Sequence, residues 1–442
     1  MQNWIRFIPR FIRIRLEGRL NLQKIIGNTG WLFFYSLLRM GVGVFVMTWM
    51  ARYLGPEKFG IWNYSLAFVT LFSVFATLGL DSRIIIRDIV RDSEYKNEIL
   101  GTTFALKVLG GILTLLLSVG VIIFIRPDDK LTHWVVGIIA AGMIFQSFDT
   151  IDSWFQSKVL SKYTVYVKSA AYLLMSLAKI AAILLSASLI VFAGIASMEI
   201  FLCSIGLLIV YWINGQSIIE WRIRWSRVKS LLNQGWPMIF STMASIIFMK
   251  IDMVMIGQML GGKAVGIYSV AARISELWYF IPVAIVSSVY PSIVEAKKVG
   301  EELYHHRLKH LFNLMVALSY SIIIPVTLLN KWIITLLFGK YYIEAGPVLA
   351  IHIWSAVFVF LGVSRGSYLI TEGLLVYIFL TTALGAVVNI ILNIFLIPSY
   401  GILGAAIATL VAYFMPIFSC LFYRKTYKIG IMMLKSLVFI RN

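Results

Sequence analysis

Charge is what this sequence has least of. Of its 442 residues, 13% are Asp, Glu, Lys or Arg while 60% are hydrophobic. A soluble chain of this length exposes too much surface for so few charges, which excludes a water-soluble globular protein. Cysteine is almost missing. Cys203 and Cys420 lie far apart in apolar stretches, where a thiol behaves as a small hydrophobe, so a disulfide framework and a zinc site are excluded. No Gly-rich phosphate loop with its Lys is present, which removes an ATPase carrying its own motor. The first 25 residues lack a continuous apolar core and scatter Arg6, Arg10, Arg13, Arg15, Arg19 and Lys24 among Trp4, Phe7, Ile12 and Leu16. They read as a basic lead-in at an anionic membrane surface and not as a cleavable signal.

What the sequence does have is a succession of unbroken apolar runs. They predict an all-α integral membrane protein of about twelve transmembrane helices, near 29–53, 61–82, 101–125, 132–155, 163–186, 189–213, 237–260, 266–290, 309–330, 346–364, 375–397 and 401–423. Runs that fill whole spans without alternation exclude a β-barrel. Acids number 20 against 39 Lys and Arg. The basic residues crowd the N-terminal segment, alternate connections (Arg83, Arg87, Arg91 and Lys96; Arg222, Arg224, Arg227 and Lys229; Lys297, Lys298, Arg307 and Lys309) and the C-terminal tail. This asymmetry follows topology, so it places both termini in the cytoplasm and makes nucleic acid an unneeded partner. The expected divisions are a basic cytoplasmic or interfacial segment 1–28, an N-lobe 29–213, a linker 214–236, a C-lobe 237–424 and a basic cytoplasmic tail 425–442.

Leu54-Gly-Pro-Glu-Lys-Phe-Gly-Ile-Trp62 and Leu260-Gly-Gly-Lys-Ala-Val-Gly-Ile-Tyr268 align without a gap at an offset of 206. Each follows the first span of its half, so the halves are parallel repeats, two six-helix lobes facing a central cavity, as alternating access requires. Gly55, Gly60, Gly261 and Gly266 suit a tight interhelical turn that needs positive φ.

Ala51-Arg-Tyr-Leu-Gly-Pro-Glu-Lys-Phe-Gly-Ile-Trp62 resembles the first-loop signature of polysaccharide-lipid flippases. So do Lys250-Ile-Asp-Met-Val-Met-Ile-Gly257, Gly266-Ile-Tyr-Ser-Val-Ala-Ala-Arg-Ile-Ser-Glu-Leu-Trp278 and Tyr290-Pro291. The chain is similar to the O-antigen and exopolysaccharide branch of the multidrug/oligosaccharidyl-lipid/polysaccharide exporter superfamily. The resemblance implies translocation of an undecaprenyl-pyrophosphate-linked oligosaccharide to the periplasmic leaflet of the inner membrane. Membrane lipid and other polysaccharide-assembly proteins are the partners it implies.

Ionisable groups within spans cost roughly 2.5–3.5 kcal/mol each on insertion scales, so each requires a partner or an aqueous cavity. Lys250, Asp252, Arg273 and Glu276 match in depth across one hairpin. They either neutralise one another or face the cavity, with Lys250 and Arg273 meeting cargo and Asp252 and Glu276 serving ion coupling. Arg39 has no acid at its depth on the following helix, which makes it the first candidate for pyrophosphate, through its forked guanidinium, unless another helix supplies an acid. Lys179 and Glu199 match as a structural pair. Asp149 and Asp152 are expected to meet Lys158 or the Arg83 region. Arg83 and Arg365, near helix ends, either receive the head group or snorkel to the interface. Pro237, Pro282, Pro325 and Pro416 are candidate kinks. His306 and His310 have i, i+4 spacing but no third ligand, so no metal is expected. No cofactor is expected beyond a coupling ion, H+ or Na+.

The intramembrane cations Arg39, Lys107, Lys168, Lys179, Lys250 and Arg273 outnumber the acids Glu199, Asp252 and Glu276, which favours an anionic cargo over that of a cation-coupled multidrug exporter. A peptidoglycan lipid-precursor flippase would fit the same cations. A membrane glycosyltransferase or polysaccharide polymerase needs catalytic residues on a sizeable outer loop, and the outer connections are short.

Overall fold

The computed structural model describes residues 20–80 and 82–439, and every regular element among them is a helix. Arg6, Arg10, Arg13, Arg15 and Arg19 of the basic lead-in, and Arg441 of the tail, lie outside the described residues. Among the described residues, ten continuous segments are long and apolar enough to cross a membrane. Two of them are double. Leu20–Thr77 holds 58 residues, about 87 Å if straight and nearly three hydrocarbon thicknesses. It breaks at Gly55 (φ 70°, ψ 170°) into α1 (20–54) and α2 (56–77). Pro56 opens α2, where its missing N–H costs nothing. Leu375–Phe418 breaks at Gly401 (φ 60°) into α16 (375–400) and α17 (402–418). Asn393 and Thr409, on opposite arms, both reach Asp252. In a straight helix they would stand about 24 Å apart, so the chain doubles back. Ten segments thus make twelve spans.

The remaining helices are α3 (Ser82–Arg91), α4 (Lys96–Ile125), α5 (Lys130–Phe145), α6 (Asp149–Ser157), α7 (Ser161–Leu184), α8 (Leu189–Ile213) and α9 (Trp225–Met259). They continue with α10 (Gly262–Glu276), α11 (Phe280–Val299), α12 (Glu301–Leu328), α13 (Asn330–Phe338), α14 (Ala345–His352), α15 (Ser355–Thr371) and α18 (Tyr427–Leu437). Three expected spans are composite. Short 3-10 turns at Gln146–Phe148 and Leu277–Tyr279 separate α5 from α6 and α10 from α11, and α14 gives way to α15 at residues 353–354. Pro282 falls in the first turn of α11, so it marks a helix start and not a mid-helix kink. Helix α9 begins at Trp225, inside the stretch expected as linker.

The chain forms two compact units. One comprises the described residues up to Met50 with Phe72–Phe240; the other comprises Ala51–Leu71 with the described residues from Ser241 onward. In the first unit, α4 shows how the packing is built. Thr103, Lys107, Gly110, Gly111, Thr114 and Ser118 are buried, while Leu109, Leu113, Leu116 and Phe124 are exposed. Small and polar residues face protein and large apolar ones face outward, the arrangement lipid demands. A Cβ on Gly110 would lie 2.2 Å from the Phe75 carbonyl oxygen, and the Thr114 hydroxyl donates to the Phe72 carbonyl at 3.1 Å. At one end of this unit the basic connection is fastened by acids, with Arg224 on Glu98 at 2.8 Å and Arg227 on Asp92 at 2.9 Å. Beneath it Ile85, Ile99, Leu100, Trp154, Phe155 and Tyr211 form an apolar cluster.

In the second unit the two repeat loops cross. The positive φ falls on Gly55 (70°) and Gly261 (85°). Gly60 and Gly266 are glycine for another reason, close approach of backbones. A Cβ on Gly60 would sit 1.7 Å from the Gly262 oxygen, and one on Gly266 would sit 1.9 Å from the Pro56 oxygen. The short helix α13 was not legible in the sequence. Arg52 donates to the carbonyls of Leu336 and Leu337 at its C-terminus, and the Tyr342 hydroxyl donates to Ala51 at 2.8 Å. The stretch expected as a basic tail contains α18, whose end is held to α12 by the Tyr320 hydroxyl on the Leu437 carbonyl at 3.0 Å.

Candidate functional site

Two clusters of buried polar groups stand out, one in each unit. In the first unit a cavity of about 340 Å3 is lined by Tyr35, Arg39, Gln146, Asp149, Lys168 and Glu199. The side chains come from α1, α7, α8, the 3-10 turn that divides α5 from α6, and the first residue of α6. That turn matters, because it ends one helix and sets Asp149 and Asp152 at the start of the next. The Lys168 ammonium lies 2.7 Å from Asp152 and 3.3 Å from Asp149. The cation that meets these aspartates is Lys168 on α7 and not Lys158 as the spacing suggested, because α7 follows α6 across a short turn.

Glu199 accepts from Lys179 at 3.2 Å and stands 4.0 Å from the Arg39 guanidinium. The acid for Arg39 therefore comes from α8, the alternative that the sequence left open. It is a loose partner. The Arg39 side chain is 58% exposed, donates to the Tyr35 hydroxyl at 3.2 Å and stacks 5.6 Å from the centre of the Tyr172 ring, a cation–π arrangement. Tyr172 in turn donates to the Arg39 carbonyl at 3.0 Å. Three cations and three carboxylates thus meet around this cavity, and the surplus of positive charge expected in the spans shrinks accordingly.

In the second unit Lys250 pairs with Glu276 at 3.7 Å. Arg273 is exposed and has no carboxylate within 4.0 Å among the described residues. The four matched charges therefore do not form one neutral layer. Asp252 is 5% exposed and is met by neutral donors: Tyr268 at 3.0 Å, Thr409 at 2.6 Å and Asn393 at 2.8 Å. Asn393 also donates to Asn389 at 2.9 Å, leaving its own Oδ1 and the Asn389 Nδ2 buried without hydrogen-bond partners. No cation lies within salt-bridge distance of Asp252 among the described residues. A buried carboxylate satisfied only by neutral groups is costly, and a proton or small cation relieves that cost. The oxygens of Asp252, Asn393 and Thr409 are hard donors of the type such a cation takes. Tyr268, Asn389, Asn393 and Thr409 were missed in the sequence; the available signal was two asparagines at i, i+4 in the otherwise apolar α16.

Arg365 differs from its expected place at a helix end. It is 5% exposed and bonds the Pro416 carbonyl and the Thr381 hydroxyl, the latter at 3.3 Å. It neither snorkels nor opens on solvent, because α15 packs against the α16–α17 hairpin there. His306 and His310 touch ring to ring, with centroids 4.3 Å apart.

Residues 25–297 match the family described as polysaccharide biosynthesis protein. A putative O-antigen transporter of Shigella flexneri is 25% identical over 403 residues, covering 87% of this chain and 94% of that one. A probable flippase, AglR, of Haloferax volcanii is 26% identical over 399 residues, 84% of this chain and 77% of that one. Among solved structures, the lipid II flippase MurJ in an inward closed conformation superposes with a TM-score of 0.70 at 16% identity, over 93% of this chain and 91% of that one. The chain is a multi-pass membrane protein of the polysaccharide biosynthesis protein family.

Proposed function

We propose that this chain is a flippase that carries an undecaprenyl-pyrophosphate-linked oligosaccharide from the cytoplasmic to the periplasmic leaflet of the bacterial inner membrane, by alternating access and without covalent chemistry. The carrying observation is the family match over residues 25–297, in a chain whose relative bears the name O-antigen transporter. Arg273, exposed and without a carboxylate partner among the described residues, and Arg39, held only loosely by Glu199, are the cations free to meet a pyrophosphate. Both termini are cytoplasmic in this reading. Asp252 supplies the coupling. Its carboxylate, with Asn393 and Thr409, alternates between a state holding H+ or Na+ and a state without it, and the cost of the empty charged state drives the exchange.

The test is reconstitution of the full chain in liposomes, with a fluorescent undecaprenyl-pyrophosphate oligosaccharide loaded in one leaflet and an ion gradient imposed. Protein-dependent transfer, outcompeted by unlabelled cargo, is the expected result. Absence of transfer, or equal competition by lipid II or by a cationic drug, would reject the cargo assigned here.

A further inference from the structure

The second unit holds another cavity, of about 450 Å3, remote in sequence from the charges above. It lies between the first three turns of α12 and the terminal helix α18, and Lys309, Asn313, Lys428, Ile431, Met432 and Lys435 line it. The two walls have the same plan. On α12 the residues Glu302, His306, Lys309 and Asn313 repeat at helical spacing on one face; on α18 Lys428 and Lys435 stand two turns apart on one face. Among the described residues, Lys309, Lys428 and Lys435 have no carboxylate within 4.0 Å. Glu302 is the acid in the lining, and Glu301 is engaged by His305 at 3.4 Å. Three ammonium groups lining one cavity with a single carboxylate leave an excess of positive charge, and an anion between them removes the repulsion.

The direction of the groove identifies the anion. Helix α12 is charged from Glu301 to His310 and carries no charge from Leu311 to Leu328. Helix α18 runs beside it, its end fixed to Tyr320 by a hydrogen bond to Leu437 and by ring contact with Phe439 at 6.2 Å. The groove therefore begins among cations and continues along apolar surface, with Leu314, Val438 and Phe439 exposed nearby. A free phosphate uses only the first part. An anionic phospholipid uses both.

We propose that this groove is a binding site for an anionic phospholipid, with its headgroup phosphate held by Lys309, Lys428 and Lys435 and its acyl chains continuing past Ile431 and Met432 along Val438 and Phe439. Occupancy would clamp α18 onto α12. In a bilayer, each lysine near an anionic surface contributes about fivefold to binding. The experiment titrates the purified full chain in neutral detergent with phosphatidylglycerol, phosphatidylcholine or inorganic phosphate, reading bound lipid by native mass spectrometry and thermal unfolding in parallel. Phosphatidylglycerol is expected to bind and raise the melting temperature, with the other two producing neither effect. Lys309→Gln, Lys428→Gln and Lys435→Gln should each weaken binding about fivefold, and the triple variant more than tenfold, while Lys58→Gln leaves it unchanged. If the triple variant fails to fold, the exposed Lys428→Gln alone carries the comparison. Equal binding of phosphatidylcholine, an equal shift with inorganic phosphate, or wild-type affinity in the lysine variants would overturn the proposal.

Discussion

Gly60 and Gly266 hold the same position relative to each other's segments. Gly60 rests on the carbonyl of Gly262, and Gly266 rests on the carbonyl of Pro56. The alignment that pairs Gly60 with Gly266 also pairs Pro56 with Gly262, so the contact is one interaction made twice about a local two-fold axis. Two helices approach there more closely than any Cβ permits.

Alanine at either glycine must move a backbone, which ordinarily costs about 1–3 kcal/mol or more. Gly60→Ala and Gly266→Ala should lower the melting temperature by similar amounts. Gly194→Ala, whose Cβ would meet nothing within 4 Å, should be neutral or slightly stabilising, because alanine is the better helix former. Unequal losses at Gly60 and Gly266 would argue against the symmetric reading.

The acid dependence of stability should have a contribution from Asp129, in the turn before α5. Its partial burial acts to raise the carboxyl, but bonds from the Thr132 hydroxyl (2.6 Å) and N–H (3.0 Å), with Arg126 nearby, outweigh this and hold it below the usual carboxylate range. A lowered folded value means that this stabilisation is complete above the ordinary carboxylate pKa and is lost as pH falls through the lowered one. Asp129→Ala should therefore cost about 0.5–2 kcal/mol at pH 7, as for a lost helix cap. The difference from wild type should close as unfolding is repeated toward pH 3. A gap independent of pH would assign the effect to packing.

The sequence disclosed the features that depend on one-dimensional pattern. Twelve apolar runs, the basic connections and the repeat were legible because lipid constrains every span alike. The pairing of Lys179 with Glu199 was legible from depth across one short turn. Partners on helices separated by more than a turn were harder to see. Nothing local ties Asp252 to Asn393 or Thr409, which reach it only after the chain reverses at Gly401. Arg365 likewise looked like an interfacial residue, since its depth depends on how α15 seats against Pro416 and Thr381.

Lys168 tests whether the charges of the first unit are structural. Its ammonium serves two carboxylates in a mostly buried place, and removing one partner of such a group typically costs about 3–5 kcal/mol. Lys168→Met should reduce the yield of folded protein severely. Lys168→Met combined with Asp149→Asn and Asp152→Asn should recover it, since no uncompensated charge remains. Recovery of fold together with recovery of transport would make the trio a packing device; fold without transport would place it in the cargo path.

Asp252→Asn separates coupling from folding. Asparagine has the shape of aspartate, and its oxygen can still accept from Tyr268 and Thr409. Its amide meets Asn393, whose own amide flips to present the Oδ1 that now lacks a partner, and the Asn389 Nδ2, also without a partner, can donate to that same oxygen. Burying a neutral amide in place of a carboxylate should leave the melting temperature unchanged or raise it. The variant no longer has a charge to neutralise, so a proton or sodium gradient has nothing to act on at this position. In liposomes it should fold normally but show cargo transfer that is abolished or indifferent to the imposed gradient. Wild-type transfer with an intact response to the gradient would remove Asp252 from the coupling step and leave its hydrogen bonds with a purely structural role.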